Sequence, residues 1–418
     1  MPKLAPYLQS LQSYIFMHRN CCLLMMIAVL FASLLTTELH AQESRPGSQV
    51  RFEKIQLTDK FFAEGAGIAD VNQDGHGDAI YGPYWYAGPE FKDRHSIYTA
   101  EEFDPHKYSN NFITFVADVN GDQWPDVLVN AWPGKDVSWF ENPKHADTLW
   151  QRHLAHPAVD NESPGFADMD GDGRKELVFH TEGVLGFAGQ TESSGKDRWL
   201  FQRCSEKNPG WQRYTHGLGS GDVNGDGRRD LLMAGGWWEQ PASSEGQPWK
   251  KHAFDFGAGG AQMHTYDVDG DGDNDVVTSL VAHGYGLAWF ENIRSDGEIT
   301  FTRHDILSPN GDEKMAGVQF SQLHAVELAD VNNDGLKDII TGKRYWAHGP
   351  KGDADPAGAA VVYWFELSRT ASGVRYIPHE IDNDSGVGTQ FAVGDLNSDG
   401  RIDIVTGNKK GGHVFIQQ

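Results

Sequence analysis

The sequence predicts an all-β protein, a seven-bladed β-propeller of four-stranded blades whose ring is closed by the N-terminal strand completing the last blade. Three observations predict it. A nine-residue acidic pattern recurs seven times at spacings of 45 to 65 residues, the length of one four-stranded unit. Each copy leads into a short β-rich run, and apolar residues at helical spacing are scarce beyond the N-terminal leader. The chain ends at Gln418 on a third strand, HVFIQQ, while the repeat region opens on a fourth, Arg51–Leu57. An open array of hairpins is the alternative, but it would leave both end strands unpaired.

Taken in order, the chain starts with Lys3, His18 and Arg19, then an apolar run from Cys21 to Leu35 and the polar stretch TTELHA ending at Ala41. This reads as a secretory signal peptide over 1–41, followed by a short linker at 42–47 and the propeller over 48–418. The run is short for a bilayer span. The expectation is an exported protein (periplasmic, extracellular or cell-surface) with no integral membrane domain after leader cleavage. Cys21 and Cys22 leave with the leader, and Cys204 is then alone. Without a disulfide, metal is the available staple. A formal net charge of -24 argues against nucleic acid as a partner.

Within each unit the predicted order is strand a, acidic loop, strand b, strand c, strand d. Strand b is a run such as Asp126–Asn130 or Asp275–Ser279; strand c is aromatic, as in VSWFENP (Val137–Pro143) and LAWFENI (Leu287–Ile293). Strand d has the form aromatic-x-basic-His, as in WQRHLA, WKKHAF and FTRHDI. The histidines of that pattern, among them His153 and His252, recur with the repeat and read as structural.

Segments such as FAVGDLNSDGRIDIVTG (Phe391–Gly407) and ADVNNDGLKDIITG (Ala329–Gly342) resemble the FG-GAP/VCBS repeats of secreted bacterial proteins, and more distantly the propellers of integrin α chains. The resemblance implies a propeller with calcium in its acidic loops. It implies little about activity, because such propellers serve adhesion, ligand binding and polysaccharide chemistry alike.

By spacing, positions one, three, five and nine of each loop offer side-chain oxygens. These are Asp70, Asn72, Asp74 and Asp78; Asp118, Asn120, Asp122 and Asp126; Asp168, Asp170, Asp172 and Glu176; and Asp222, Asn224, Asp226 and Asp230. The remaining copies give Asp267, Asp269, Asp271 and Asp275; Asp330, Asn332, Asp334 and Asp338; and Asp395, Asn397, Asp399 and Asp403. Alternate oxygens around a turn glycine suit Ca²⁺, and 23 carboxylates in these loops repel unless cations sit among them. Up to seven structural calcium ions are expected. The second copy is the weakest, with Gln123 at the turn and Pro125 nearby. Metal-free Asx turns are the alternative.

The acidic loops are a–b turns, so the b–c and d–a connections share the other face. There the sequence places Tyr84, Trp85, Trp132, Trp237, Trp238, Glu239, Tyr285, Lys343, Arg344, Tyr345 and Trp346. Aromatic faces beside fixed polar groups suit a carbohydrate, and an extracellular protein is the other ligand considered. Singly, each Trp could equally pack between blades. The d–a connections add Glu64, Glu162, His216, His264 and His324. No nucleophile elbow or zinc helix is present. A binding module is therefore the first expectation. The alternative is a polysaccharide lyase or sugar dehydratase, for which His264, His324, His216 and His283 are the candidate bases.

Overall fold

In the computed structural model, which describes residues 50–191, 195–243, 246 and 248–418, the run after each acidic loop is a strand buried along most or all of its length. Asp78–Tyr81, Asp126–Asn130, Asp230–Met233, Asp275–Ser279, Asp338–Gly342 and Asp403–Asn408 are buried at every position. Strands covered on both faces carry continuous apolar runs rather than alternation, which explains DVLVN and DIITG. The predicted leader and linker lie outside the described residues. No helix is present among the described residues, so none there is long and apolar enough to cross a membrane. The fold is all-β and propeller-like.

Each buried strand pairs antiparallel with an inner and an aromatic strand, as Asp126–Asn130 does with Ile113–Ala117 and Lys135–Glu141. The inner strands surround a central cavity of about 510 Å³, which Gly67, Thr114, Gly165, Gly219, His264, Glu327 and Gln390 help to line. They approach closely where glycine permits it. A Cβ on Gly219 would lie 1.9 Å from the Met263 carbonyl oxygen, and Leu218–Gly221 runs parallel to Gln262–Tyr266 at that point. The Gln390 side chain stitches further neighbours together: its Oε1 accepts from the Ala66 and Thr114 amides, and its Nε2 donates to the Ala66 carbonyl.

Two departures from the sequence reading bear on the site. The stretch expected as a d–a connection around Glu162 is instead part of one strand, Gln151–Ala167. Its first half pairs with Lys135–Glu141 and its second with Glu176–Thr181. At the other end of the chain, Phe52–Thr58 pairs antiparallel with Gly411–Gln417, so the first described strand lies in the last sheet.

The strand d histidines each stack on a strand c tryptophan directly across the ladder. Trp139–His153, Trp237–His252, Trp289–His304 and Trp364–His379 have ring centroids 4.0 to 4.4 Å apart. In each case Nε2 lies 2.7 to 2.9 Å from a glutamate two residues after the tryptophan: Glu141, Glu239, Glu291 and Glu366. Cross-strand stacking plus a charge-assisted hydrogen bond fixes the outer strands.

Candidate functional site

The acidic loops form compact networks. In the first, Asp70 Oδ1 and Oδ2 accept from the Asp74 and Gly75 amides, while Asn72 Oδ1 also accepts from Asp74. Position six is left-handed throughout, at φ 81 to 96° for the glycines and 71° for Gln123. The second loop therefore keeps the same path despite its glutamine. Its position-five carboxylate, Asp122, pairs with Lys144 at 3.2 Å, where the third, fourth and seventh loops pair theirs with an arginine two residues on. In the third and fifth loops, Asp168, Asp170 and Glu176, and Asp267, Asp269 and Asp271, bring oxygens within 4.8 Å of one another.

Position nine has a role that the spacing did not announce. Its carboxylate is buried and ties strands together: Asp126 accepts from the Val119 amide and from the Asn142 amide of strand c. Asp78, Asp230, Asp275, Asp338 and Asp403 do the same. Burial pushes the Asp126, Glu176, Asp230, Asp275 and Asp338 carboxyls up to about 7; in each the loop's other carboxylates add to the rise while the backbone donors oppose it.

The second constellation lies at the opposite ends of the inner strands. His216 precedes Leu218–Gly221 and Asp222 follows it, so a strand of four residues separates the two faces. Here Glu162, His216, His283 and His324 converge with their ligand atoms mutually within 4.8 Å. Glu162 Oε2 lies 3.2 Å from His324 Nε2 and 3.5 Å from His216 Nε2, and His283 Nε2 lies 3.0 Å from His216 Nε2. Buried Arg344 donates to Glu162 at 3.2 Å and to Glu64 at 2.9 Å. Burial alone would raise the Glu162 carboxyl. The hydrogen bonds from His216 and His324 and the Arg344 charge outweigh it and hold the group well below the usual range. Burial and then the Arg344 charge lower His324 to about 3; burial and then the neighbouring His324 lower His283. Both therefore stay neutral.

Around this cluster stands an aromatic and basic rim. The Tyr108 and Trp132 rings meet edge-on at 4.3 Å, and Trp132 Nε1 donates to Tyr214 Oη at 3.2 Å. Lys409 Nζ lies over Tyr108 at 4.8 Å and donates to the Trp346 carbonyl; burial lowers it to about 8. Tyr345 stacks on Trp346, both with positive φ. His348 leans on His283, and Asp353 Oδ1 accepts from or pairs with His348 Nδ1 at 2.6 Å while standing 3.5 Å from His283 Nδ1.

Several expected ligand residues belong elsewhere. Trp237, Trp238 and Glu239 lie in a strand, Gly236–Glu239, because Ala234 and Gly235 complete the turn and Gly236 already pairs with Met233. Trp237 and Trp238 are buried at 1% and 4% exposure and pack in the core; Glu239 holds His252. Trp85 stacks on His95, and Tyr84 packs edge-on against Phe62 beneath Arg94. Lys343 is fully buried, donating to Ser321 and pairing with Asp355. Tyr285 is half-buried beside Gly311. His264 sits apart from the other three candidate histidines, its ring held 2.8 Å from the Val326 carbonyl at the central cavity. Tyr108, Tyr214 and Asp353 were not anticipated. Neither tyrosine belongs to the recurring motifs, and Asp353 sits in an insertion with no counterpart in other units.

The FG-GAP-like repeat family matches residues 118–179 and 222–278. No curated protein matches the chain. Among solved structures, BBS1N in complex with ARL6DN is similar with a TM-score of 0.52 at 9% identity, covering 88% of this chain and 96% of that one. An Agrocybe aegerita lectin that recognises non-reducing terminal N-acetylglucosamine gives 0.49 at 16% identity, with 88% and 86% covered. A Bacillus licheniformis rhamnogalacturonan lyase gives 0.44 at 13% identity, with 87% and 75% covered. Likeness at such identities concerns the fold alone. The chain carries repeats of the FG-GAP-like family.

Proposed function

We propose that this is an exported, closed seven-bladed propeller that holds structural Ca²⁺ in its acidic loops and binds a carbohydrate on the opposite face. Seven sets of inner, buried and outer strands and the pairing of Phe52–Thr58 with Gly411–Gln417 support the closed ring. Closure removes open sheet edges. For calcium, the support is the donor chemistry: oxygen-only side chains on short turns, with net negative charge that Arg174, Arg228 and Arg401 offset only locally. The second loop, with Gln123 at the turn and Pro125 beside it, is the weakest site.

The observation that carries the ligand reading is the grouping of Tyr108, Trp132, Tyr214 and Trp346 with Lys409 and Arg344 around one polar centre. Aromatic faces stack on sugar rings, and the Lys409 ammonium over Tyr108 favours a ligand bearing a carboxylate, so an acidic sugar fits best. A glycan array probed with the full chain tests it. Binding of acidic glycans lost in Trp132→Ala is expected; an array without signal for a folded, calcium-loaded chain overturns the reading.

A second reading, a carbohydrate lyase or dehydratase, is favoured by the titratable set of Glu162, His216, His283 and His324 beside that rim. Release of unsaturated product, abolished in His283→Gln, would establish it; binding without product would leave the binding module.

A further inference from the structure

The His216, His283, His324 and Glu162 cluster brings four metal-ligating atoms to within 4.8 Å of one another. Three imidazole Nε2 atoms and one carboxylate oxygen point at one another, and His283 Nε2 faces His216 Nε2 at 3.0 Å. His216 Nε2 can face both neighbours only as a donor shared between Glu162 and the His283 Nε2 lone pair; accepting from His283 instead sets its own lone pair 3.5 Å from a carboxylate. One cation among the four atoms uses every Nε2 lone pair and the carboxylate charge together. We propose that Glu162, His216, His283 and His324 bind a divalent transition metal of the Zn²⁺ class.

The distances agree with that chemistry. Tetrahedral ligands about 2.0–2.1 Å from zinc stand about 3.3 Å from each other. The three resolved edges here are 3.0, 3.2 and 3.5 Å. Imidazole nitrogen with one carboxylate suits zinc and its neighbours rather than Ca²⁺ or Mg²⁺, which take oxygen. This sets the centre apart from the acidic loops in both position and preference. Charge also fits: Arg344 pairs with both Glu64 and Glu162, and one guanidinium against two carboxylates leaves a negative charge for a cation.

The surroundings place a carboxylate near one of the histidines, where metal-bound imidazoles usually have an outer partner. With Nε2 on the metal, His283 presents Nδ1–H, and Asp353 Oδ1 stands 3.5 Å from it. The same oxygen lies 2.6 Å from His348 Nδ1, which holds the carboxylate in place. Such carboxylates orient the ring and raise its basicity. His324 is fully buried, and its Nδ1 has no hydrogen-bond partner, so its only polar outlet is through Nε2 into the cluster. His283 remains partly open toward the rim, the side from which water or a ligand would reach the metal.

The proposal does not rest on the carbohydrate reading, because metal occupancy is measured without any ligand. The full chain, stripped with chelator and reloaded with saturating Ca²⁺ to occupy the acidic loops, is titrated with Co²⁺ and then Zn²⁺. A single equivalent of Co²⁺ with the intense visible bands of a tetrahedral nitrogen-containing site, displaced by Zn²⁺ but not by Ca²⁺, is expected. His283→Gln should abolish those bands. Asp353→Asn, which keeps all four ligands, should weaken Zn²⁺ binding about 10–100-fold. Only the weak bands of oxygen-bound Co²⁺ from a folded chain overturns the proposal. So does unchanged Zn²⁺ affinity in a folded His283→Gln variant. If that variant fails to fold, Asp353→Asn decides: unchanged affinity there also counts against the centre.

Discussion

Arg344 Nη2 lies 2.9 Å from Glu64 Oε1, a buried ion pair between residues 280 apart in the chain. The same guanidinium reaches Glu162, so one arginine pairs with carboxylates delivered by two other parts of the chain. Its charge cannot be removed alone without leaving both acids buried and uncompensated. Arg344→Met should therefore destabilise the fold by about 3–5 kcal/mol, the usual cost of breaking a buried pair from one side. Adding Glu64→Gln should recover part of that loss. Urea unfolding followed by tryptophan fluorescence measures both, and a cost under about 1 kcal/mol for the single variant would contradict the geometry.

Tryptophans of the two classes should respond oppositely. Trp237 is buried and stacked on His252 with planes 4° apart, so Trp237→Ala should cost about 3–5 kcal/mol. Trp132 stands on the rim, half-buried against Tyr108 and Tyr214. Trp132→Ala should change stability by about 1 kcal/mol or less and remove glycan binding. Thermal melts and the array, run on the same preparations, separate the two effects.

Calcium removal should act on the fold and not on the rim. Excess EDTA should lower the melting temperature sharply, and Ca²⁺ added back without Zn²⁺ should restore it, since each site held at 100 times its Kd contributes about 2.7 kcal/mol. Lys144→Ala frees Asp122 from its ion pair and should strengthen calcium binding at the second loop, detected as an added or tighter equivalent in calorimetry. An unchanged melt in EDTA would sink the calcium reading.

The strand runs and the all-β class were legible because buried, β-rich runs and turn glycines recur at a fixed place in each unit. Part of the site was legible for the same reason: His216 and His324 sit just before inner strands, where the chain enters the central mouth, and His283 just after a buried one. What failed depended on turn length. A two-residue turn at Ala234–Gly235 suffices to reverse the chain, which moves Trp237 and Trp238 from a loop into the core. Glu162 entered the site from a strand of 17 residues that serves two sheets, a continuity no local pattern signals. Asp353 reaches His283 from an insertion whose path the repeat does not set.

A last prediction concerns acid stability. His180 is completely buried, neither ring nitrogen has a hydrogen-bond partner, and the Asp160 carboxylate stands 3.9 Å away. Burial lowers the imidazole to about 4, only partly opposed by that carboxylate. The unfolded chain takes up a proton near the ordinary histidine value of about 6.5, so between about pH 6.5 and 4 it binds more protons than the folded chain. Stability from this group is thus intact above the window and lost as pH falls through it, by about 3 kcal/mol at most. The buried loop carboxylates, raised rather than lowered, push the other way, so the total pH profile does not isolate His180. The difference between wild type and His180→Phe does. Whatever the phenylalanine costs at pH 8, the variant should gain on wild type steadily between pH 6.5 and 4. Parallel denaturation curves across that range, with a constant gap, would show that His180 is not held neutral by the fold.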